Sequence, residues 1–286
     1  MDDRLLTTNE CDDFDDDLPV GRILTRREVL LLAGASGAAL FSGGTPILRA
    51  ETGEVIDLVA SPSMTEGPFF VDDKLSRSNL LTGTTRPGVV GGLPLTLTLR
   101  VFTVHGGKGV PLSGAHVDIW HCDTVGVYSD EPSGSIQSEN TKGQKWLRGF
   151  QISNKSGAVA FRTIYPGWYP GRAVHIHFKV RGYSQTGQKT YEFTSQLFFD
   201  DKLSDRVFAG EPYRSRERRH ILNSNDGIYQ ARTADGAAVG SQLMLRTVKS
   251  TAGTGYSSSF NIGIDLRRSE SERRGRPDGS GNRLRW

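Results

Sequence analysis

Two histidines one residue apart, His175 and His177, have the spacing in this chain that most directly suggests chemistry. In a β-strand, alternate side chains point to the same face, so both imidazoles can approach one ion. Val174, Ile176 and Phe178 would then pack on the opposite face. Strand histidines are also common in hydrogen-bonded or solvent-facing positions. The pair alone is therefore a weak indication of a metal site, and further donors must come from elsewhere in the chain.

Two tyrosines lie where loops can carry them to the histidines. Tyr169 stands between a Pro-Gly-Trp turn and a Pro-Gly turn, which keep its backbone outside a strand. Tyr128 follows a predicted strand that ends near Trp120, and loops on a rigid scaffold often carry functional residues. Taken alone, each tyrosine is better explained as a packed or surface aromatic residue.

Short alternating runs, broken by Gly and Pro, predict the elements that position these side chains. The run PLTLTLRV at 94–101 alternates with period two, as a strand with one buried face should. The pattern has no helix-length repeat between strands and predicts an all-β, antiparallel β-sandwich. A short helix is expected near 213–222. Further strands are predicted at 114–120, 157–164, 173–181, 190–199 and 242–248.

Length and charge fit one domain with tails. The 286 residues can form a single large sandwich domain. The net charge of +3 is small, and the basic residues concentrate in the last twenty positions, which predicts a disordered tail rather than a nucleic-acid site. Of the two cysteines, Cys11 precedes the predicted domain and Cys122 lies within it, so the domain has no partner for an internal disulfide.

The first fifty residues resemble a bacterial twin-arginine export signal. Arg26 and Arg27 precede a small-residue apolar run of about fifteen residues, which is shorter than the about twenty that a membrane span needs. We therefore expect export to the periplasm or medium without stable membrane insertion; the alternative is an amphipathic or anchoring helix. The predicted division is 1–50 leader, 51–266 β-sandwich domain and 267–286 basic tail.

Several separated strings resemble the intradiol ring-cleavage dioxygenases, the family of protocatechuate 3,4-dioxygenases and catechol 1,2-dioxygenases. The resemblance covers residues 61–266, and motifs in a shared order are more specific than any one of them. The strings are TEGPFF at 65–70, PLSGAHVDIWH at 111–121 with GVYS at 126–129, RGFQ at 148–151, the block 161–178 and TSQLFF at 194–199.

The resemblance implies a β-sandwich with one non-haem ferric iron, Fe(3+), bound by two tyrosines and two histidines. Matched by motif position, these ligands are Tyr128, Tyr169, His175 and His177. A phenol has a pKa near 10 and loses its proton at neutral pH only beside a strong, hard Lewis acid. Tyrosine ligands therefore favour ferric iron over zinc or ferrous iron.

The resemblance also implies the reaction and its participants. A catechol-type diol and O2 would be the substrates, and the ring would open between the two hydroxyl-bearing carbons to a muconate-type diacid. Tyr169 would act as general base, and Arg172 would stabilise negative charge on the ring. Without the resemblance, Arg172 would be taken for a surface arginine. Both a monomer and a homo-oligomer remain open.

Two alternatives come from other functional classes. A secreted, transthyretin-like β-sandwich can keep the fold as a binding module without catalysis, since fold does not fix function. A zinc hydrolase could use the two histidines but lacks an evident third ligand. Only five residues separate Tyr169 from His175, fewer than in many catabolic relatives, so the substrate is expected to differ from theirs.

Overall fold

The computed structural model describes residues 54–134, 136–215, 221–233, 236–251 and 253–267. The predicted export signal in residues 1–50 lies outside these ranges, as does the predicted tail after residue 267, so both stay predictions. Within the described residues, no helix is long and apolar enough to cross a membrane.

In the described part of the chain, ten strands form two sheets, with few helices between them. The all-β fold predicted from the sequence is confirmed. Its helical elements are α1 (Pro87–Val90), α2 (Asp201–Phe208) and two 3-10 turns at Tyr213–Ser215 and Val239–Leu243. The strands are β1 (Ile56–Asp57), β2 (Pro94–His105), β3 (Lys108–Pro111), β4 (His116–Trp120), β5 (Arg148–Ile152), β6 (Ala158–Ile164), β7 (His175–Tyr183), β8 (Lys189–Phe198), β9 (Arg246–Lys249) and β10 (Tyr256–Ile264).

Strand β2 organises the first sheet, whose order is β1-β3-β2-β10-β9. Its alternate residues Leu95, Leu97, Leu99 and Val101 are buried, as their period of two predicts. One edge of β2 pairs with β6 and then with β3, and the other edge pairs with β10. The β2–β10 pairing is parallel, which differs from the antiparallel sheet expected from the sequence. A parallel pair requires a long crossover, and the chain between β2 and β10 provides one.

The second sheet, in the order β5-β4-β7-β8, is antiparallel throughout and carries the histidines. In β7, Ile176, Phe178 and Val180 join the core between the sheets. The other face of β7 presents His175 and His177, and these side chains are also buried. Something other than the first sheet must therefore cover that outer face.

The cover is residues 64–75, here called the covering segment. At one end the backbone amide of Met64 donates to the Thr194 carbonyl in β8, at 3.1 Å. At the other end the amide of Phe150 in β5 donates to the Leu75 carbonyl, at 2.8 Å. Between these ties, Asp72 pairs with Arg181 of β7 at 2.6 Å. The covering segment thus crosses the outer face of the whole four-stranded sheet.

Each predicted strand overlaps an observed one, and three of the elements that were not predicted, β5, β10 and α2, have local causes. β5 contains Gly149, which interrupts alternation. β10 is rich in serine, so its apolar pattern is weak. The helix α2 was not predicted because its eight residues, capped by Asp200, are too few for a clear helical period. Of the helix expected near 213–222, the structure describes a 3-10 turn at Tyr213–Ser215, and residues 216–220 lie outside the described ranges.

Candidate metal centre

Two imidazoles and two phenols meet in one buried cluster on the outer face of the second sheet. The Nε2 atoms of His175 and His177 lie 3.0 Å apart. The phenolic oxygen of Tyr169 lies 3.2 Å from His175 Nε2. The ring of Tyr128 meets that of Tyr169 edge-on, with centroids 5.6 Å apart. All four side chains are at least nine-tenths buried. The structure therefore brings together the four residues that the sequence singled out.

The backbone and β4 fix the orientation of the two histidines. Nδ1 of His175 lies 2.6 Å from the carbonyl oxygen of Ala173. A carbonyl only accepts, so this nitrogen carries the proton and Nε2 keeps its lone pair. Trp120, the register partner of His177 on β4, stacks on the His177 ring with centroids 4.9 Å apart. Both rings thus present Nε2 to the same point.

More polar atoms surround the His175 lone pair than it can bind. Tyr169 Oη, His177 Nε2 and Arg172 Nη1 all lie within 3.4 Å of it. One lone pair accepts one well-directed hydrogen bond, so these three groups cannot all be satisfied there at once. The Tyr128 hydroxyl is also buried, and in the described part of the chain it makes no well-directed hydrogen bond, although it interacts with the Tyr169 hydroxyl. Such convergence is typical of atoms that bind an ion together.

A turn after β4 carries Tyr128 into the cluster. The buried carboxylate of Asp123 accepts hydrogen bonds from the backbone amides of Val125 and Val127, each at 2.9 Å. Its other oxygen pairs with Arg86. These contacts shape the turn from side-chain acceptors, as aspartate commonly does. Tyr128 is the next residue, so its backbone direction is set by this turn.

Polar side chains then hold the Tyr128 backbone. Its amide donates to Gln137 Oε1 at 2.8 Å, and its carbonyl accepts from Thr141 Oγ1 at 2.7 Å. The ring of Phe69, from the covering segment, stacks on the Tyr128 ring with centroids 4.2 Å apart. Tyr128 is therefore fixed at both its backbone and its ring.

A buried arginine ties this turn to the covering segment. Arg148, on β5, donates from Nη1 to the Phe69 carbonyl at 2.7 Å and from Nε to Ser129 Oγ at 2.8 Å. Its Nη2 contacts the Ser129 carbonyl, and Glu131 lies 3.6 Å away. Arg148 therefore links the residue after Tyr128 to the residue stacked on the Tyr128 ring. The sequence included Arg148 in a motif but did not assign it this role.

Arg172 reaches the cluster from the loop between Tyr169 and His175. Its Nη1 lies 3.4 Å from His175 Nε2, so the side chain reaches the cluster instead of extending into solvent. Its Nη2 donates to the side-chain oxygen of Gln196. Gln196, on β8, is the register partner of His177 and also donates to the Thr65 carbonyl at 2.8 Å. The sequence motif at 194–199 identified the strand that carries Gln196, but it did not identify Gln196 itself as a residue near the cluster.

Burial controls the protonation of the cluster. It lowers the pKa of both His175 and His177 well below the usual value, because an imidazolium there would lose its hydration. The histidines are therefore neutral and keep lone pairs. Burial raises the pKa of Tyr169 to about 12 and that of Tyr128 well above its usual value. With no cation bound, the phenols keep their protons at neutral pH.

The donors are nitrogen and phenol oxygen, without carboxylate or thiolate. Among the residues that the structure describes, no group of three or more His, Cys, Asp or Glu side chains could hold a metal. The cluster consequently lacks the third ligand that a zinc hydrolase of the usual kind would need.

The fold and the site together define a class of protein: a two-sheet sandwich with a buried histidine–tyrosine cluster. The family model described as "Dioxygenase" matches residues 65–222, more than half of the chain. The chain belongs to this family, the intradiol dioxygenases, as the sequence motifs predicted. The match includes all four residues of the cluster.

Similar proteins are found among solved structures and characterised enzymes. An intradiol ring-cleavage dioxygenase from Tetranychus urticae is 28% identical, with 73% of this chain and 96% of that chain covered and a TM-score of 0.59. Catechol 1,2-dioxygenase of Acinetobacter baylyi is 28% identical over 177 residues, 54% of this chain and 48% of that protein. Hydroxyquinol 1,2-dioxygenase of a Rhizobium strain is 29% identical over 115 residues, 39% of this chain and 34% of that protein. The chain spans about half the length of the curated catechol dioxygenases that it matches.

Proposed function

We propose that this protein is an iron-dependent intradiol dioxygenase that opens a catechol-type ring with O2, between the two hydroxyl-bearing carbons. One observation carries the proposal. Two neutral imidazoles and two phenols are buried around one point, and their polar atoms cannot all be satisfied by one another. The expected ligands of the iron are Tyr128, Tyr169, His175 and His177.

The chemistry of the donor set suits ferric iron. Both phenols hold their protons when the site is metal-free, and only a strong Lewis acid stabilises two buried phenolates. Hard oxygen donors favour a hard trivalent ion, and the imidazoles are already neutral. Two phenolates offset two of the three positive charges, which limits the cost of burying the ion. When bound, ferric iron would supply a Lewis acid that holds the diol and draws electron density from its ring.

Two side chains would act on the substrate directly. The Tyr169 oxygen, which would be a phenolate with iron bound, would accept a proton from one substrate hydroxyl and become a neutral phenol. It lies at the cluster on a loop rather than in a strand, so it has room to move as it does so. The Arg172 guanidinium would stabilise negative charge on the ring, since its Nη1 lies at the cluster and the side chain is only 13% exposed. Tyr128, His175 and His177 are tied to the sheet and its turn, and would keep their places throughout.

The covering segment would keep water from the reacting atoms. Phe69 stacks on Tyr128, and Phe70 packs against Trp120 with ring centroids 4.9 Å apart. Gly67 lies over His177 with φ of +73°, and a Cβ at that position would be 3.4 Å from the imidazole. Glycine thus allows the backbone to lie close over the ring without strain.

The substrate class rests on the relatives. The two curated enzymes named above are described as catechol and hydroxyquinol 1,2-dioxygenases, and each is matched over half of its length or less. A small diol of this kind is therefore the first class to test. The five-residue loop between Tyr169 and His175 is an additional reason to compare several diols.

The first test uses protein purified without added metal. We expect about one iron per chain and a red to burgundy colour from phenolate-to-iron charge transfer. An oxygen electrode with catechol, protocatechuate, hydroxyquinol and chlorinated catechols should show O2 uptake and a diacid product. Colourless protein with zinc in the site, or metal-free protein that binds diols without O2 uptake, would refute the proposal in favour of a hydrolase or a binding module.

The second test separates the two tyrosines. Tyr169→Phe should retain most iron and lose about a hundredfold or more in rate, as expected when a general base is removed. Tyr128→Phe should shift the visible spectrum strongly, including the spectrum with catechol added under nitrogen. Tyr183→Phe is the matched control, because Tyr183 packs on His116 at the far end of β7. If phenolate absorption with catechol persists in Tyr128→Phe and disappears in Tyr169→Phe, the two roles are reversed.

We also propose that the chain is exported in folded form through a twin-arginine signal, which would deliver a domain already loaded with iron. Replacing Arg26 and Arg27 with Lys should leave the protein in the cytoplasm. Arg22→Lys, which keeps the pair, serves as control. Unchanged export of the double variant would exclude this route.

A further inference from the structure

A buried aspartate that follows the family match holds the loop of the candidate site. Asp226 has a fully buried side chain and lies beyond residues 65–222. Its Oδ2 accepts from Arg172 Nε at 3.0 Å and from the backbone amide of Ala173 at 2.7 Å. Its Oδ1 accepts from the amides of Ile228 and Tyr229, at 2.7 and 3.1 Å. Both oxygens of the carboxylate are thus engaged, each by two N–H donors.

These contacts fix the direction of the Arg172 guanidinium. The guanidinium is planar and rigid, so holding two of its nitrogens determines where the third one points. Asp226 holds Nε, and Gln196 holds Nη2. The remaining nitrogen, Nη1, lies 3.4 Å from His175 Nε2. With Asp226 absent, the guanidinium could rotate about its contact with Gln196 and leave the cluster.

The same carboxylate also fixes the peptide that orients His175. The Ala173 amide donates to Asp226, and the Ala173 carbonyl accepts from His175 Nδ1. One side chain therefore anchors both a charged group and the main chain within the five-residue loop that connects Tyr169 to His175.

We infer that Asp226 is a positioning residue, which aims Arg172 at the substrate and fixes the loop before His175. The part of the inference in which Arg172 faces a substrate rests on the proposed function. Stability alone is a poor explanation of the contact, because a buried ion pair is often no more stabilising than apolar groups of the same volume. Its distinctive effect is on the direction of the guanidinium.

The first experiment uses metal-free protein and does not depend on catalysis. NMR of arginine Nε–H groups would identify the Arg172 signal by its loss in Arg172→Lys. We expect this proton to exchange slowly with solvent in the unaltered protein and its signal to move in Asp226→Asn. Asparagine has nearly the same shape as aspartate, but its NH2 group cannot accept hydrogen bonds. One of the two pairs of N–H groups that Asp226 binds would therefore lose its acceptor. Rapid exchange in the unaltered protein would overturn the inference even if Asp226→Asn does not fold, and so would an unmoved signal in Asp226→Asn.

The second experiment is a double-mutant cycle in the iron-loaded enzyme. Asp226→Asn should lower kcat about tenfold or more, but by a clearly smaller factor when Arg172 is already replaced by Gln, because residues that act through one another are not additive. The loss that remains in that background belongs to the Ala173 peptide, which Asp226 also holds. Equal losses in both backgrounds would show a purely structural role and overturn the inference. Asp200→Ala is the control, since Asp200 caps α2 away from the cluster and its loss should lower thermal stability without changing kcat. A wild-type protein without ring cleavage would refute the proposed function, and the NMR result would still decide whether Asp226 places Arg172.

Discussion

Replacing Arg148 with Met should destabilise the protein strongly while leaving the core volume nearly unchanged. Methionine fills the space of the arginine stem but donates no hydrogen bond. The carbonyl oxygens of Phe69 and Ser129 would then stay buried without their donor, and Glu131 would lose its nearby charge. Each buried acceptor left unsatisfied costs about 1–3 kcal/mol. Breaking a buried ion pair costs about 3–5 kcal/mol in comparable cases.

The two unsatisfied carbonyls alone account for about 2–6 kcal/mol. We therefore expect the free energy of unfolding to fall by about 4 kcal/mol or more, out of a total that is typically about 5–15 kcal/mol. Urea unfolding followed by tryptophan fluorescence would measure this difference. Arg162→Met is the matched control, because the Arg162 side chain is exposed on β6 and its loss should change stability by less than about 0.5 kcal/mol. A loss below about 1 kcal/mol in Arg148→Met would show that water or a relaxed backbone replaces the arginine, and the argument from unsatisfied carbonyls would be wrong.

Two further predictions concern pH and the backbone of the covering segment. Burial raises the pKa of Asp118 to about 6, although Arg181 opposes the shift, so the stability that this group contributes is complete below about pH 4 and is lost as pH rises through 6. The free energy of unfolding of wild type, relative to that of Asp118→Asn, should fall by roughly 2–3 kcal/mol between pH 4 and pH 7. A difference that grows in favour of wild type as pH rises would contradict this sign. Gly67→Ala and Gly106→Ala both place alanine at positive φ and should each cost about 1–2 kcal/mol. Only Gly67 lies against His177, so only its variant should change KM, and equal kinetic effects in the two would refute the contact.

The sequence was sufficient for those parts of the site that depend on local pattern. Alternation in one strand placed His175 and His177 on one face, and turn residues kept Tyr169 out of the sheet. Gln196 could not be assigned in this way, because its approach to the cluster depends on which residue of β8 stands opposite His177. Asp226 was harder still, since it contacts Arg172 from 54 positions further along the chain and its own neighbourhood reads only as a turn.

In the fold too, features set by local sequence were predictable, and features set by long-range contacts were not. Strand β2 was predicted because its alternation lies entirely within its own residues. Its parallel pairing with β10 was not, because pairing direction depends on how the intervening chain returns and not on either strand alone. The covering segment has little alternation, so nothing local to it predicts that it lies across a sheet.

The covering segment also bears on the order in which the molecule assembles. Its contact between Thr65 and Gln196 joins residues 131 positions apart, so a very long loop must close before the contact forms. Closing long loops costs entropy, and folding slows as contacts become less local. The hairpins of the second sheet are more local, so we expect them to form before the segment docks. The sheet that carries the histidines would then form first, and the covering segment would dock last. During the interval between these steps the histidines would face open solvent, and an ion could enter.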